Sequence, residues 1–131
     1  MILDSNIIIY AADPDHAFLR EFIRTHAPVV SLVSYIEVLG YDKLSADQKV
    51  YFEEFFDSTR VLPISDGVAK QAIALRQQQK ISLGDAVIAA TAIVYSHTLV
   101  TRNTADFKWI SELMLLNPFE PIEGHAEKMR V

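Results

Sequence analysis

Apolar and polar positions divide this chain into short runs. Ile2 and Leu3 read as a strand stopped by Asp4, and the apolar run from Ile7 to Ala12 either extends that strand or opens a helix. Periodicity alone does not choose between the two. Beyond Pro14, Phe18, Leu19, Phe22 and Ile23 recur at helical spacing with Arg20 and Arg24 on another face, and Pro28 closes that helix. Val29 to Leu32 predicts a buried strand by its β-branched content, and Ser34 to Tyr41 a helix that stops near Gly40. Ser45 followed by Gln48 has the form of a capping box and starts a helix carrying Tyr51, Phe52, Phe55 and Phe56. Val61 to Ile64 predicts a third strand, which Pro63 confines to a sheet edge or a strand end. From Asp66, the pattern Val68, Ala72, Ile73, Leu75 predicts an amphipathic helix, and a far more apolar one follows from Gly84 to about Ser96. Thr98 to Thr101 reads as a fourth strand, Asp106 to Ser111 as a short helix, Leu113 to Leu116 as a fifth strand, and the segment from Phe119 as a polar, fraying tail.

The order is therefore strand, helix, strand, two helices, strand, two helices, strand, helix, strand. Parallel strands need helical crossovers, so this alternation predicts an α/β fold, a three-layer α/β/α sandwich around a parallel sheet. No repeat, low-complexity tract or linker interrupts it, and residues 1–131 read as a single domain.

Half of the residues are hydrophobic, enough for a core without staples, and the chain has no cysteine. That excludes disulfides, thiolate zinc sites and thiol nucleophiles, and it suits a reducing, cytoplasmic setting. No apolar run approaches the ~20 residues of a membrane span, and the start Met1-Ile2-Leu3-Asp4 lacks the features of a signal peptide. We expect no membrane association. A formal net charge of −5 argues against broad duplex binding through a basic surface.

Four acids stand out because each is expected where an apolar strand hands over to the next segment: Asp4, Glu37, Asp85 and Asp106. Parallel strands deliver their C-terminal ends to one sheet edge, so acids far apart in sequence can meet there. Three of them also fit helix-capping grammar, as Ser34-x-x-Glu37, Ser82-x-x-Asp85 and Asn103-x-x-Asp106. Asp4 does not, and a carboxylate in an apolar setting costs several kcal/mol unless it is paired or metal-bound. Glu53, Glu54, Asp57 and Glu112 read as solvated, and Asp13 and Asp15 as turn residues beside Pro14. No two of His16, His26, His97 and His125 have zinc-site spacing.

Together, Ile2-Leu3-Asp4-Ser5-Asn6, Ser34-Tyr35-Ile36-Glu37, Leu83-Gly84-Asp85-Ala86-Val87-Ile88-Ala89 and Thr101-Arg102-Asn103-Thr104-Ala105-Asp106-Phe107 resemble the PIN-domain ribonucleases, in particular the VapC-type toxins of toxin-antitoxin systems. The motifs occur in family order and span almost the whole chain. The resemblance implies a five-stranded parallel sheet between helices and an endoribonuclease that uses Mg2+ or Mn2+. It places Asp4, Glu37, Asp85 and Asp106 at the acidic positions, with Ser5, Asn6, Thr101 and Asn103 supporting them. Where some members carry a further acid, this chain has Asn103. It also implies a homodimer, an RNA substrate and an antitoxin protein that packs into an apolar groove and blocks the acids.

The residues suit that chemistry in their own right. Clustered carboxylates repel one another unless a hard dication neutralises them, and magnesium prefers oxygen ligands while keeping several waters. Asp4 and Asp85 are the expected direct ligands, Asp106 completes the set, and Glu37, the longest, takes a water-orienting or second-metal role. Thr101 and Asn103 are expected to hold carboxylates or phosphate, and Arg102 and Lys108 are candidates for phosphate contact. The aromatic residues Tyr51, Phe52, Phe55 and Phe56 are assigned mainly to the core, with part left for a partner groove. A DNA-directed nuclease shares the same acid chemistry, and a non-catalytic interaction module would use the acids only as caps. A receiver-like phosphoacceptor would need a lysine near Leu113 to Leu116, which has none.

Overall fold

A computed structural model describes residues 1–120 of this chain. The sheet is built from β1 (Ile2–Leu3), β2 (Val29–Ser31), β3 (Val61–Leu62), β4 (Leu99–Val100) and β5 (Leu115–Leu116), all parallel, in the order β3-β2-β1-β4-β5. β1 is central: Ile2 and Leu3 pair with Val29 and Val30 on one side and with Leu99 and Val100 on the other. Among the described residues, six α-helices flank the sheet: α1 (Ser5–Ala11), α2 (Ala17–His26), α3 (Leu32–Leu39), α4 (Ala46–Asp57), α5 (Asp66–Gln78) and α6 (Leu83–Val94). The fold is thus the three-layer α/β/α sandwich that the alternation implied.

Alternation along each strand divides the core in two. Ile2 and Leu99 face a cluster with Val68, Leu75, Ile88 and Phe107, dominated by α5 and α6. Leu3, Val30 and Val100 face the opposite cluster with Ile7, Ile8, Leu19, Val38, Phe52 and Phe56, from α1 to α4. Phe52 and Phe56 are buried there, while Tyr51 and Phe55 pack against its margin. Core packing therefore accounts for the heavy aromatic content of α4.

Several elements differ from their sequence-based limits. Ile7 to Ala12 does not extend the first strand, because Ile7, Ile8 and Ala11 bury one side of α1. The second strand ends at Ser31, whose hydroxyl accepts the Val33 N–H at 3.1 Å and starts α3 at Leu32. Ser34 is consequently inside the helix and caps nothing. No α-helix forms over 106–111. Phe107, Ile110 and Leu113 are buried at intervals of three, and their N–H groups bond to Thr104, Phe107 and Ile110 carbonyls at 3.0, 3.0 and 3.2 Å. That is the i to i+3 pattern of successive tight turns, preceded by a 3-10 turn at Thr104–Asp106. Phe119, read as the start of a polar tail, packs against the second core cluster, whereas the rest of that tail from 121, including His125, lies outside the described residues.

Other expectations match. Ser45 and Gln48 form a reciprocal capping box at α4, and β3 is an edge strand followed directly by Pro63. Arg20 donates to the Ala11 and Asp13 carbonyls and Arg24 pairs with Glu21, so both arginines hold local structure. Among the described residues, no helix is long and apolar enough to cross a membrane.

Two substitutions test this packing. Ser45→Ala removes one cap and should cost about 1 kcal/mol, whereas Leu99→Ala opens a void in the fully buried strand β4 and should cost about 2–5 kcal/mol. Urea denaturation should rank them in that order.

Candidate functional site

Asp4 leaves the central strand as the N-terminal flanking residue of α1, with extended backbone angles and only 4 % of its surface exposed. The register that pairs Leu3 with Val100 brings Thr101 alongside it. The buried Thr101 hydroxyl donates to Asp4 Oδ2 at 2.8 Å, and the Asn103 backbone N–H donates to that same hydroxyl at 3.0 Å. A hydroxyl whose lone pair is occupied in this way has its proton aimed at the carboxylate. Asn103 thus supports Asp4 through its main chain. Among the described residues, neither its side chain nor that of Asn6, both exposed, hydrogen-bonds an acid.

Glu37 lies in α3 rather than at a strand end, and it is anchored by two contacts. Ser5 Oγ is 2.9 Å from Glu37 Oε1 and 2.9 Å from Ser34 Oγ. Since a hydroxyl carries one proton, Ser5 can donate to Glu37 while accepting from Ser34. On its other side, Glu37 rests against Gly84, where a Cβ would come within 2.5 Å of Oε2. The sequence named Ser5 only as a supporting residue and did not single out Gly84 as a neighbour of Glu37, because both contacts join distant elements. The only local signal was a glycine in the first turn of an otherwise apolar helix.

Asp85 follows another helix rather than a strand. It sits in the first turn of α6, its N–H bonded to Ser82 Oγ at 3.1 Å, so the expected cap exists there. The other two do not. Ser34 is interior to α3, and Asn103 makes no side-chain cap before Asp106. Capping therefore leaves Glu37 and Asp106 unexplained. Asp106 is exposed at the end of its 3-10 turn, and with Asp85, Ser82, Ala105, Ile81, Lys80 and Gln79 it lines a cleft of about 380 Å³.

Asp4 and Asp85 sense the acids around them. Burial raises the Asp4 carboxyl above its ordinary 3.8; the Thr101 hydrogen bond opposes this, while the charges of Asp85 and Glu37 add to it. Burial likewise raises Asp85, the Ser82 hydroxyl pulls it down, and Asp106 and Glu37 push it up. The ion pairs among the described residues are His16–Asp13 and Arg24–Glu21, neither of which neutralises this group. Carboxylate and hydroxyl oxygens without a protein counter-ion suit a hard divalent cation. Among the described residues, no three Asp, Glu or His side chains are grouped so as to hold a metal ion by themselves. An open arrangement fits magnesium, which binds through one or two carboxylates and retains water.

Residues 1–113 match the PIN domain. The chain belongs to the PIN-domain family. No curated protein sequence gives a match. This PIN domain is similar in structure to a toxin-antitoxin complex from Klebsiella pneumoniae, with 29% identity over 92% of this chain and 98% of that one and a TM-score of 0.74. It shares its fold with DNA-bound VapBC from Salmonella typhimurium, at 20% identity, 89% and 96% coverage and a TM-score of 0.79. VapBC2 from Rickettsia felis, bound to a promoter DNA fragment, has the same fold at 23% identity, 88% and 96% coverage and a TM-score of 0.78.

The three described histidines, His16, His26 and His97, have other neighbours. His97 lies 3.2 Å from the N-terminal amine, and His26 stacks on Phe22 with ring centroids 4.4 Å apart. His16 belongs to an aromatic group with Tyr10, Phe18 and Phe119.

The raised carboxyls fix the sign of a pH effect. In the metal-free PIN domain, folded Asp4 and Asp85 retain protons that the unfolded chain releases above its ordinary 3.8. Their contribution is therefore fully present below that value and is lost as pH rises through the folded pKa. In excess chelator, Asp4→Asn should raise the melting temperature at pH 7 and flatten its decline from mildly acidic pH. A lower melting temperature for Asp4→Asn at pH 7 would contradict this assignment.

Proposed function

We propose that this PIN domain is a metal-dependent endoribonuclease and the toxin of a toxin-antitoxin pair, with Asp4, Glu37, Asp85 and Asp106 as its catalytic acids. The observation that supports the reading is that Glu37, Asp85 and Asp106 act by their charges on Asp4 or Asp85, while none of these acids is ion-paired among the described residues. RNA as the substrate follows from the motif resemblance, and Mg2+ or Mn2+ from the all-oxygen donor set. Acting on RNA, the protein would work in the cytoplasm.

Asp4 and Asp85 would hold the cation, with Asp106 completing its surroundings. When bound, the cation supplies Lewis-acid stabilisation of the phosphodiester and lowers the pKa of an attacking water. Thr101 favours the ionised form of Asp4 and orients it by donating to Oδ2. Glu37, fixed at Oε1 by Ser5, keeps Oε2 available to orient water and accept its proton. Lys80, which lines the cleft, and Lys108, exposed shortly after Asp106 in the chain, would supply positive charge for phosphate.

The partner reading is supported by a groove of about 600 Å³ between α1, α3 and α4, lined by Ile9, Tyr10, Val38, Tyr41, Leu44 and Phe52. Ile9 and Tyr41 are about half exposed, and such a surface suits the apolar face of an antitoxin helix. Ile36 and Leu83, exposed on the packed helices α3 and α6, offer apolar surface for a homodimer.

Purified protein should cut RNA with Mg2+ or Mn2+ present and stop in excess EDTA, and it should leave a matched DNA strand intact. Glu37→Gln should lower kcat by about 10²–10⁴-fold. Cleavage that persists in EDTA, or that survives in Asp4→Asn, would contradict the mechanism.

Gly84→Ala tests the seat of Glu37 separately. Alanine favours a helix over glycine by about 1 kcal/mol, so the fold should hold, while the new Cβ displaces the carboxylate. The expected result is reduced cleavage at unchanged or higher melting temperature.

A further inference from the structure

Arg102 lies between Thr101 and Asn103, the two residues whose hydroxyl and backbone N–H fix Asp4. Its guanidinium carbon stands 4.2 Å from the centroid of the Phe119 ring and 5.3 Å from that of Tyr10. The platform beneath it is braced from several elements. Phe119 meets Tyr10, His16 and Phe18 edge-on at 5.5, 5.4 and 5.2 Å. Asn117 links the two halves, with its Oδ1 accepting the Phe119 N–H at 2.9 Å and its Nδ2 donating to the Arg102 carbonyl at 3.4 Å.

Among the described residues, no carboxylate pairs with Arg102 and no acceptor takes a hydrogen bond from its guanidinium, whereas Arg20 and Arg24 are both engaged locally. A guanidinium stacked on rings keeps its N–H edge free, in the geometry that grips phosphate in bidentate fashion. It is exposed, one residue from the hydroxyl that holds Asp4, in a chain of net charge −5. A polyanion approaching four acids needs a fixed cation there.

We propose that Arg102, pre-set on Phe119 and Tyr10, clamps a backbone phosphate of the RNA strand beside the bond to be cut. This rests on the endoribonuclease reading above. Arg102 is a substrate-binding residue in this account, and the cluster of rings beneath it is its mount. If Arg102 served only to pin Phe119, its loss would lower stability without changing how RNA binding depends on salt.

The test uses the full chain carrying Asp4→Asn, a fluorescein-labelled single-stranded oligoribonucleotide and anisotropy titrations over a series of salt concentrations. Adding Arg102→Gln should weaken binding about tenfold and reduce the slope of log affinity against log salt by about 0.7, one phosphate contact on a single strand. Arg102→Lys should restore most of the slope. In protein with Asp4 intact, Arg102→Gln should raise KM more than it lowers kcat. An unchanged slope for Arg102→Gln overturns the clamp and leaves the nuclease reading standing, and so does unchanged RNA binding with loss of a co-purifying protein partner. If the parent neither binds nor cuts the oligoribonucleotide, the nuclease reading fails and the clamp fails with it.

Discussion

The rest of the structure is arranged around a carboxylate held out of water at the end of the central strand. Asp4 sits where β1 turns into α1, flanked on both sides by paired strands, with 4 % of its surface exposed. Burying an acid there costs stability unless something compensates it; among the described residues Asp4 receives hydrogen bonds from the Thr101 hydroxyl and the Ser5 backbone, and no cation pairs with it. Nearby acids raise the cost further. A fold selected for stability alone would place an apolar residue at this point; in the proposed nuclease a divalent cation would complete the interaction that this carboxylate begins.

The four acids are held with different firmness. Asp4 is fixed by sheet register, since Leu3 and Val100 pair and thereby bring Thr101 alongside. Asp85 is set by the Ser82 cap of α6. Glu37 is exposed, yet it is restrained by the Ser5 hydroxyl and by the space left at Gly84. Asp106, exposed in a tight turn, is the least constrained. Two firmly held acids with two more adjustable ones would suit magnesium, which keeps part of its hydration.

Much of the architecture was legible in the chain because it rests on local patterns. Ser45 and Gln48 announced a helix start, Pro63 an edge strand, and the alternation of strand and helix a parallel sheet. The misjudged segments are those in which two local signals compete. Ser34 looked like a cap, but Ser31 is nearer the strand end and starts the helix first. Residues 107–113 have apolar spacing close to that of a helix, yet the interval of three suits successive turns. Asp4, Glu37, Asp85 and Asp106 could be picked out as residues, but not their geometry: only Asp4 directly follows a strand. The contacts of Glu37 with Ser5 and Gly84, and of Arg102 with Phe119, join distant parts of the chain and leave no periodic trace.

The central claim is that these four acids form one cation site. Calorimetric titration of the metal-free protein with Mn2+ at neutral pH tests it most directly, in the parent and in Asp85→Asn. The account predicts saturable binding by the parent and a large loss of affinity in Asp85→Asn. Absence of saturable binding in the parent, or equal affinity in the two proteins, would contradict it.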